Sequence, residues 1–330
     1  MAPAGRLVRL GVVLDTRNAP DRLREVARMC DRAGIDALWV RDDPVPADGR
    51  PRLPAWTALT LAGLDASRAR LGAMLDVTLR PPATLAAMAG TLDVALDGRL
   101  EIGFSREAAP RRGVVESPDP ATRARRVQEY ATIVRRLLAG ESAGATGSAE
   151  TRKAPLGVAS PQPDGPRLSV EMSGPPDAAV AVRVADDVLI PAMAVKDIRL
   201  AVEQVRKECE AGGRAPSSLG IGVEVPVSIG RTSTEARARA DAEPLFQTIG
   251  HPARVGIFGT LEQCQDRVIE LAHMGVTDVR CVLPNSADVH DVIAQLTAMA
   301  VGTVQALTPN APRSRAPDPP EGWGGRPPHR

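Results

Sequence analysis

Two kinds of apolar pattern alternate along the chain. Short runs in which nearly every residue is apolar, such as Arg6 to Leu14 (RLVRLGVVL), Asp36 to Val40 (DALWV) and Arg70 to Val77 (RLGAMLDV), are separated by longer segments with apolar residues every three or four positions. The first kind predicts strands buried on both faces, the second amphipathic helices packed against them. Pro20 opens a helix in which Leu23, Val26, Ala27 and Cys30 keep helical spacing until Gly34 stops it. Pro54 starts the next, through Trp56, Leu59, Leu61 and Leu64, and Pro81 and Pro82 lead into a third carrying Leu85, Met88, Ala89, Leu92 and Leu96.

The same alternation continues to the end of the apolar part of the chain. Strands are expected over Arg99 to Phe104, Leu168 to Met172, Val188 to Ile190, Leu219 to Ile229 and Asp278 to Leu283. Helices are expected over Thr122 to Leu138, Pro175 to Ala185, Val195 to Ala211, Thr234 to about Glu243, from Thr260 with Gln263 at the capping-box position, and over Val289 to Leu307. The stretch between Glu243 and Thr260 carries no decisive pattern. Eight buried strands alternating with helices, without a GxGxxG turn after the first, predict a closed α/β (β/α)8 TIM barrel as a single domain over residues 1–307. Residues 141–165 lack apolar period and read as a flexible insertion, and the Pro-rich residues 308–330 as a disordered tail. Parallel strands bring all their carboxyl ends to one face, so a site is expected there.

Composition narrows the partners. With 330 residues, 43% of them hydrophobic, the chain can bury a large core, and 41 basic against 40 acidic side chains offer nothing that attracts nucleic acid or an anionic membrane. No apolar run approaches the ~20 residues that cross a bilayer, and Met1 to Leu10 lacks the apolar segment of an export signal. Cys30, Cys209, Cys264 and Cys281 are scattered without CxxC spacing, which predicts reduced, packed thiols in a cytoplasmic protein and no metal site.

Candidate chemistry gathers at three strand ends. In Gly98 to Arg106 (GRLEIGFSR) a buried strand delivers the Ser105 hydroxyl and the Arg106 guanidinium, a pair suited to an enclosed anion. Glu171, Met172, Ser173 and Gly174 lie where a strand passes into a helix N-terminus, and a small hydroxyl beside an unhindered amide can approach an anion there. After the second strand come Arg41, Asp42 and Asp43. Side chains alternate along an extended strand, so at most one of the two acids can face a pocket, with Arg41 or the other acid turned elsewhere.

From about Leu7 to Leu307 the chain resembles the luciferase-like monooxygenase family, the flavin- and deazaflavin-dependent barrels related to bacterial luciferase. The resemblance rests on DRLREVARMCDRAGIDALWVRDD, RLGAMLDVTLRPPATLA, TLDVALDGRLEIGF, MSGPPDAAVAVRVADDVL and FGTLEQCQDRVIELAHMGVTDV, in the family's order. It implies that Ser105 and Arg106 hold a flavin phosphate together with Glu171, Met172, Ser173 and Gly174. It also implies that Met74 and Leu75, in a third strand that often carries a non-prolyl cis bond or bulge, support the ring. Asp42 and Asp43 stand where the family often has a histidine, making them the catalytic candidates. The bulky segment after Phe104 favours compact FMN over the long-tailed deazaflavin (factor 420). The implied activity is a monooxygenase taking reduced FMN from a separate flavin reductase and acting with O2 on a small organic substrate. A deazaflavin-dependent hydride-transfer enzyme, or a member that has lost the flavin and works cofactor-free or as a partner protein, are the alternatives. A homodimer through the outer helices of the first half is expected.

Overall fold

The structure is a computed structural model, and it describes residues 8–42, 51–105, 119–141, 158–249, 255–285 and 288–307. The strands are β1 (Arg9–Val13), β2 (Ala37–Arg41), β3 (Arg70–Asp76), β4 (Leu100–Ser105), β5 (Arg167–Glu171), β6 (Asp187–Ile190), β7 (Gly220–Ile229), β8 (Ile257–Gly259) and β9 (Asp278–Val282). Between them run α1 (Pro20–Arg32), α2 (Ala55–Asp65), α3 (Pro82–Ala95), α4 (Pro120–Leu138), α5 (Pro175–Val184), α6 (Val195–Ala211), α7 (Ser233–Ala242), α8 (Pro244–Ile249), α9 (Leu261–Met274) and α10 (Val289–Leu307).

Strands β1 to β7 pair in sequence, all parallel, and β9 closes the ring between β7 and β1. These are the eight strands of an α/β TIM barrel. The stretch that had no decisive pattern forms α8 and β8, and β8 pairs only with the outer end of β7, Val227 to Ile229, beyond the closed ring. Helix α1 buries the stripe its spacing predicts, Leu23, Val26, Ala27 and Cys30, whereas α2 buries Ala55, Ala58, Leu59 and Ala62 and leaves the anticipated Leu64 exposed. Burying each such Leu or Val side chain contributes ~1.5–3 kcal/mol. The Thr260 hydroxyl accepts from Gln263 N–H while the Gln263 side chain accepts from Thr260 N–H, completing the anticipated capping box of α9. Gly275 ends that helix at φ 100°, a left-handed turn that glycine adopts without strain.

Two expectations change. Residues 158–165 run over the surface but are tied to the barrel at two side chains: Ser160 Oγ donates to Asp93 Oδ2 at 2.5 Å, and Gln162 Nε2 donates to Asp93 Oδ1 and to the Leu100 carbonyl at 2.9 Å each. Asp93 is fully buried in α3 and also accepts from Leu100 N–H, so this segment satisfies polar groups under the barrel. Residues 142–157, like the tail 308–330, lie outside the described residues. Second, β3 is a regular strand with no cis peptide bond among the described residues.

The register fixes what fills the lumen. Arg9, Trp39, Arg70, Met74, Glu101, Arg167, Glu171, Asp187, Leu189, Glu224, Asp278 and Arg280 share the inward parity across the ladders. At mid-height the Arg280 guanidinium lies 3.3 Å over the Trp39 ring and approaches Met74 Sδ at 3.2 Å. Gly72 and Gly103 make room for this stack: a Cβ on Gly72 would come 2.4 Å from Trp39, and one on Gly103 would overlap Met74 Sδ. At the amino-terminal end Glu101 accepts from both Arg9 (2.8 Å) and Arg70, while Arg167 pairs with Asp187 at 2.8 Å.

Candidate functional site at the barrel mouth

Above the Trp39 and Arg280 layer the lumen opens into a cavity of about 410 Å³ at the carboxyl ends of the strands. Its walls come from the segments following β1, β2, β5 and β6, from β7 and β9, and from Leu245 of α8. Apolar walls (Val13, Leu14, Pro191, Ala192, Leu245, Val282) surround a polar centre.

That centre is Arg41. Alternation along β2 sends Trp39 and Arg41 inward, and Arg41 Nη1 donates to Glu224 Oε2 at 2.8 Å while Nη2 donates to both Glu171 oxygens at 2.9 Å. Burial works against the Arg41 charge, but the two carboxylates outweigh it and hold its pKa above the ordinary arginine value. The side chain remains 30% exposed, against 5% for Glu171 and 11% for Glu224. A guanidinium carries five N–H groups. Among the described residues, the clamp leaves the Nε–H and one Nη1–H of Arg41 without a protein acceptor, beside the cavity.

The rim is tied by Glu243, which is buried. It accepts from Leu245 N–H at 3.2 Å and Asn285 N–H at 2.9 Å, and it meets Arg17 at 3.5 Å; Arg17 is itself held by Asp15 at 2.6 Å. The hydrogen bond to Asp15, helped by the nearby Glu243 charge, raises the Arg17 pKa despite burial.

The anticipated site residues separate into groups. Glu171 stands in the cavity. Asp42 lines it, but its carboxylate turns to Arg80, with Nη1 at 2.6 Å and Nη2 at 3.1 Å, and it also accepts from Asp76 N–H at 3.3 Å. Of Arg41 and Asp42, it is Arg41 that turns its charged group into the lumen. Met74 lies beneath the cavity floor against Arg280. Leu75 and Met172 have outward parity and pack in the main core between strands and helices, so they do not reach the cavity. Ser105 is buried at the end of β4, Ser173 is exposed, and Gly174 is the residue before α5. Asp43 and Arg106 lie outside the described residues. Glu224 had gone unremarked, although a lone acid inside the apolar run Gly220 to Ile229 is a signal that something across the lumen must pair with it.

A flavin would need acceptor-seeking donors at its ring and anion-binding donors at its phosphate. The cavity and the free N–H groups of Arg41 fit the first requirement. The start of α5 does not fit the second. Pro175 and Pro176 occupy the first two helical positions and have no N–H, and the N–H groups of Asp177 and Ala178 return to the Gly174 carbonyl at 3.1 and 3.3 Å. Ser173 N–H is taken by Asp177 Oδ2 at 2.8 Å.

A closed parallel barrel with a polar, partly apolar-walled cavity at its carboxyl face defines the class of (β/α)8 enzymes that work through their strand ends. Within that class the match is specific: the sequence pattern of the luciferase-like monooxygenases covers residues 7–254, and the chain belongs to that family of FMN- or deazaflavin-dependent oxidoreductases. A curated 5,10-methylenetetrahydromethanopterin reductase from Methanolobus tindarius is 22% identical over 300 residues, spanning 78% of this chain and 89% of that protein. The coenzyme F420 dependent tetrahydromethanopterin reductase of Methanopyrus kandleri superposes with a TM-score of 0.73 at 18% identity, covering 88% of this chain and 97% of that one. A monooxygenase from Streptomyces bottropensis does so with 0.75 at 18%, covering 89% and 98%. At these identities the two structures speak for the fold alone. Among the described residues no helix is long and apolar enough to cross a membrane.

Proposed function

We propose that this chain is an oxidoreductase acting on a small organic substrate at the barrel mouth, with reduced FMN supplied from solution by a separate reductase. The observation that carries this reading is Arg41, a guanidinium fixed by Glu171 and Glu224 with N–H groups left over beside a 410 Å³ cavity. Such a donor suits the electron-rich edge of a reduced flavin, where a fixed positive charge tunes the ring. The cofactor supplies the electrons for O2 activation; the protein binds, orients and keeps water away, and the apolar wall serves the last task. The scarcity of free amides at the start of α5 among the described residues supports a flavin that visits rather than resides. Asp42, engaged by Arg80, supports a positioning role over that of a free acid or base.

The relation to a methanopterin reductase supports a second reading, hydride transfer with the deazaflavin. Anaerobic titration of the protein with reduced FMN and with reduced deazaflavin, followed by absorbance, separates the two. Saturable binding of FMN is expected, and binding of the deazaflavin alone would overturn the first choice.

A homodimer is also proposed. The outward faces of α2 and α3 carry Thr57, Thr60, Leu64, Thr91 and Val94 without a charged residue among them, and Leu64 is 72% exposed. Light scattering should give twice the chain mass, and Leu64→Glu should give the single mass. The four cysteines are free and buried, in keeping with a cytoplasmic location.

A further inference from the structure

The two carboxylates that hold Arg41 are spent unequally. Glu171 accepts with both of its oxygens from the single Nη2, at 2.9 Å each. Glu224 accepts from Nη1 with Oε2 alone, at 2.8 Å, and among the described residues its Oε1 has no donor. Both residues line the cavity, and Glu224 is the more exposed of the two, 11% against 5%. Because Nη1 also keeps an N–H, this one ion pair places a charged donor and a charged acceptor side by side at the cavity wall. A phosphate or a second carboxylate offers acceptors only and would meet Glu224 as a like charge. A hydrocarbon would leave both groups desolvated and unpaired. What completes the pair is an edge on which a carbonyl oxygen adjoins an N–H, and the pyrimidine ring of an isoalloxazine has one in its C4 carbonyl and N3–H.

We infer that Arg41 and Glu224 together read the imide edge of the ligand, an Arg41 N–H donating to a ring carbonyl while Glu224 Oε1 accepts from the neighbouring ring N–H. The inference rests on the flavin reading above and adds to it the ligand feature that is recognised and Glu224 as the residue that selects it. A 5-deazaflavin carries the same edge, so the contact serves either cofactor. Both hydrogen bonds involve a charged protein group and are about twice as strong as neutral ones. No bond is made or broken at Glu224; it determines specificity.

The test is an anaerobic titration of the full chain with reduced FMN and with reduced N3-methyl FMN, followed by absorbance, for the parent, Glu224→Gln and Glu171→Gln. Methylation removes the N3–H and changes neither the phosphate nor the rest of the ring. The parent should prefer FMN by about 10- to 100-fold, the loss expected for a hydrogen bond to a charged acceptor. In Glu224→Gln the amide oxygen goes to Arg41 and an NH2 group meets the ligand, so FMN should weaken and the preference should shrink to within about threefold. Glu171→Gln loosens the clamp from the side whose oxygens are already spent, and it should weaken both flavins by a similar factor and keep their ratio. Circular dichroism melts report whether each variant folds, and the comparison of the two flavins on the parent needs no variant. A parent preference below about tenfold, an undiminished preference in Glu224→Gln, or one lost equally in Glu171→Gln would overturn the inference and leave the flavin reading standing. Binding of neither flavin to the parent would overturn both.

Discussion

Both ends of the lumen hold arginines clamped by carboxylates, yet the two clusters are built with opposite stoichiometry. At the amino-terminal end one carboxylate, Glu101, serves two arginines, Arg9 and Arg70, and Asp278 lies 3.5 Å from Arg9. At the mouth two carboxylates, Glu171 and Glu224, serve one arginine. The lower arrangement shares one buried acceptor between two donors. The upper one uses carboxylates to hold a guanidinium still while leaving some of its donors for a ligand. What distinguishes the two ends is the cavity beside Arg41, since Arg9, with its one donation to Glu101, also keeps N–H groups to spare.

Removing Glu101 should break the comparison most severely. Glu101→Ala removes the buried carboxylate that Arg9 and Arg70 share and should cost about 3 kcal/mol in denaturant unfolding, because the two partly exposed guanidinium groups keep only Asp278 and Gln162 as side-chain partners. Next comes the floor between the two ends: Gly72→Ala pushes a methyl into the Trp39 ring and should cost about 1–3 kcal/mol, since an indole cannot move aside in a packed barrel. At the mouth, Arg41→Lys should weaken flavin binding about 10-fold while lowering stability less than Glu101→Ala does, because an ammonium keeps a positive charge between Glu171 and Glu224. Equal losses of stability at the two ends would erase the distinction drawn here.

Acid sharpens it further. Burial raises the Glu101 carboxyl, but Arg9 and Arg70 overcome this and bring it down to about 2, below the ordinary value of 4.5. A lowered folded pKa contributes stability that is present above the unfolded value and lost as pH falls from about 4.5 towards 2. Asp187 has the opposite sign: burial raises its pKa more than Arg167 lowers it, so its protonation offsets part of the loss. Urea midpoints of the parent should therefore fall through this window, and those of Glu101→Gln should fall less. The smallest effect is expected at Asp42→Asn, about 1 kcal/mol of stability from the weakened Arg80 pair with flavin affinity unchanged. A large loss of flavin affinity in that variant would move the site towards Asp42.

Much of this protein is legible in its sequence. Eight mostly apolar runs separated by helical periods determined the barrel, because strands covered on both faces carry few polar residues and parallel pairing then follows from the intervening helices. The capping box at Thr260 and the stop at Gly275 are local events, set by neighbours a few residues away. Even the face that carries the candidate cavity followed from parallelism. What a strand pattern leaves open is which parity faces the lumen when the residues outside it are apolar too. Leu75 and Met172 point to the helices, and Arg41, in the same run as the acidic pair, points inward; only closure of the ring through β9 fixed those directions. The partners of Arg41 lie 130 and 183 residues away, a meeting no local signal encodes. The closed start of α5 stands between the two cases: its prolines are visible in the sequence, but the folded turn alone gave the Ser173 amide to Asp177, because that bond depends on where a side chain four residues on comes to rest.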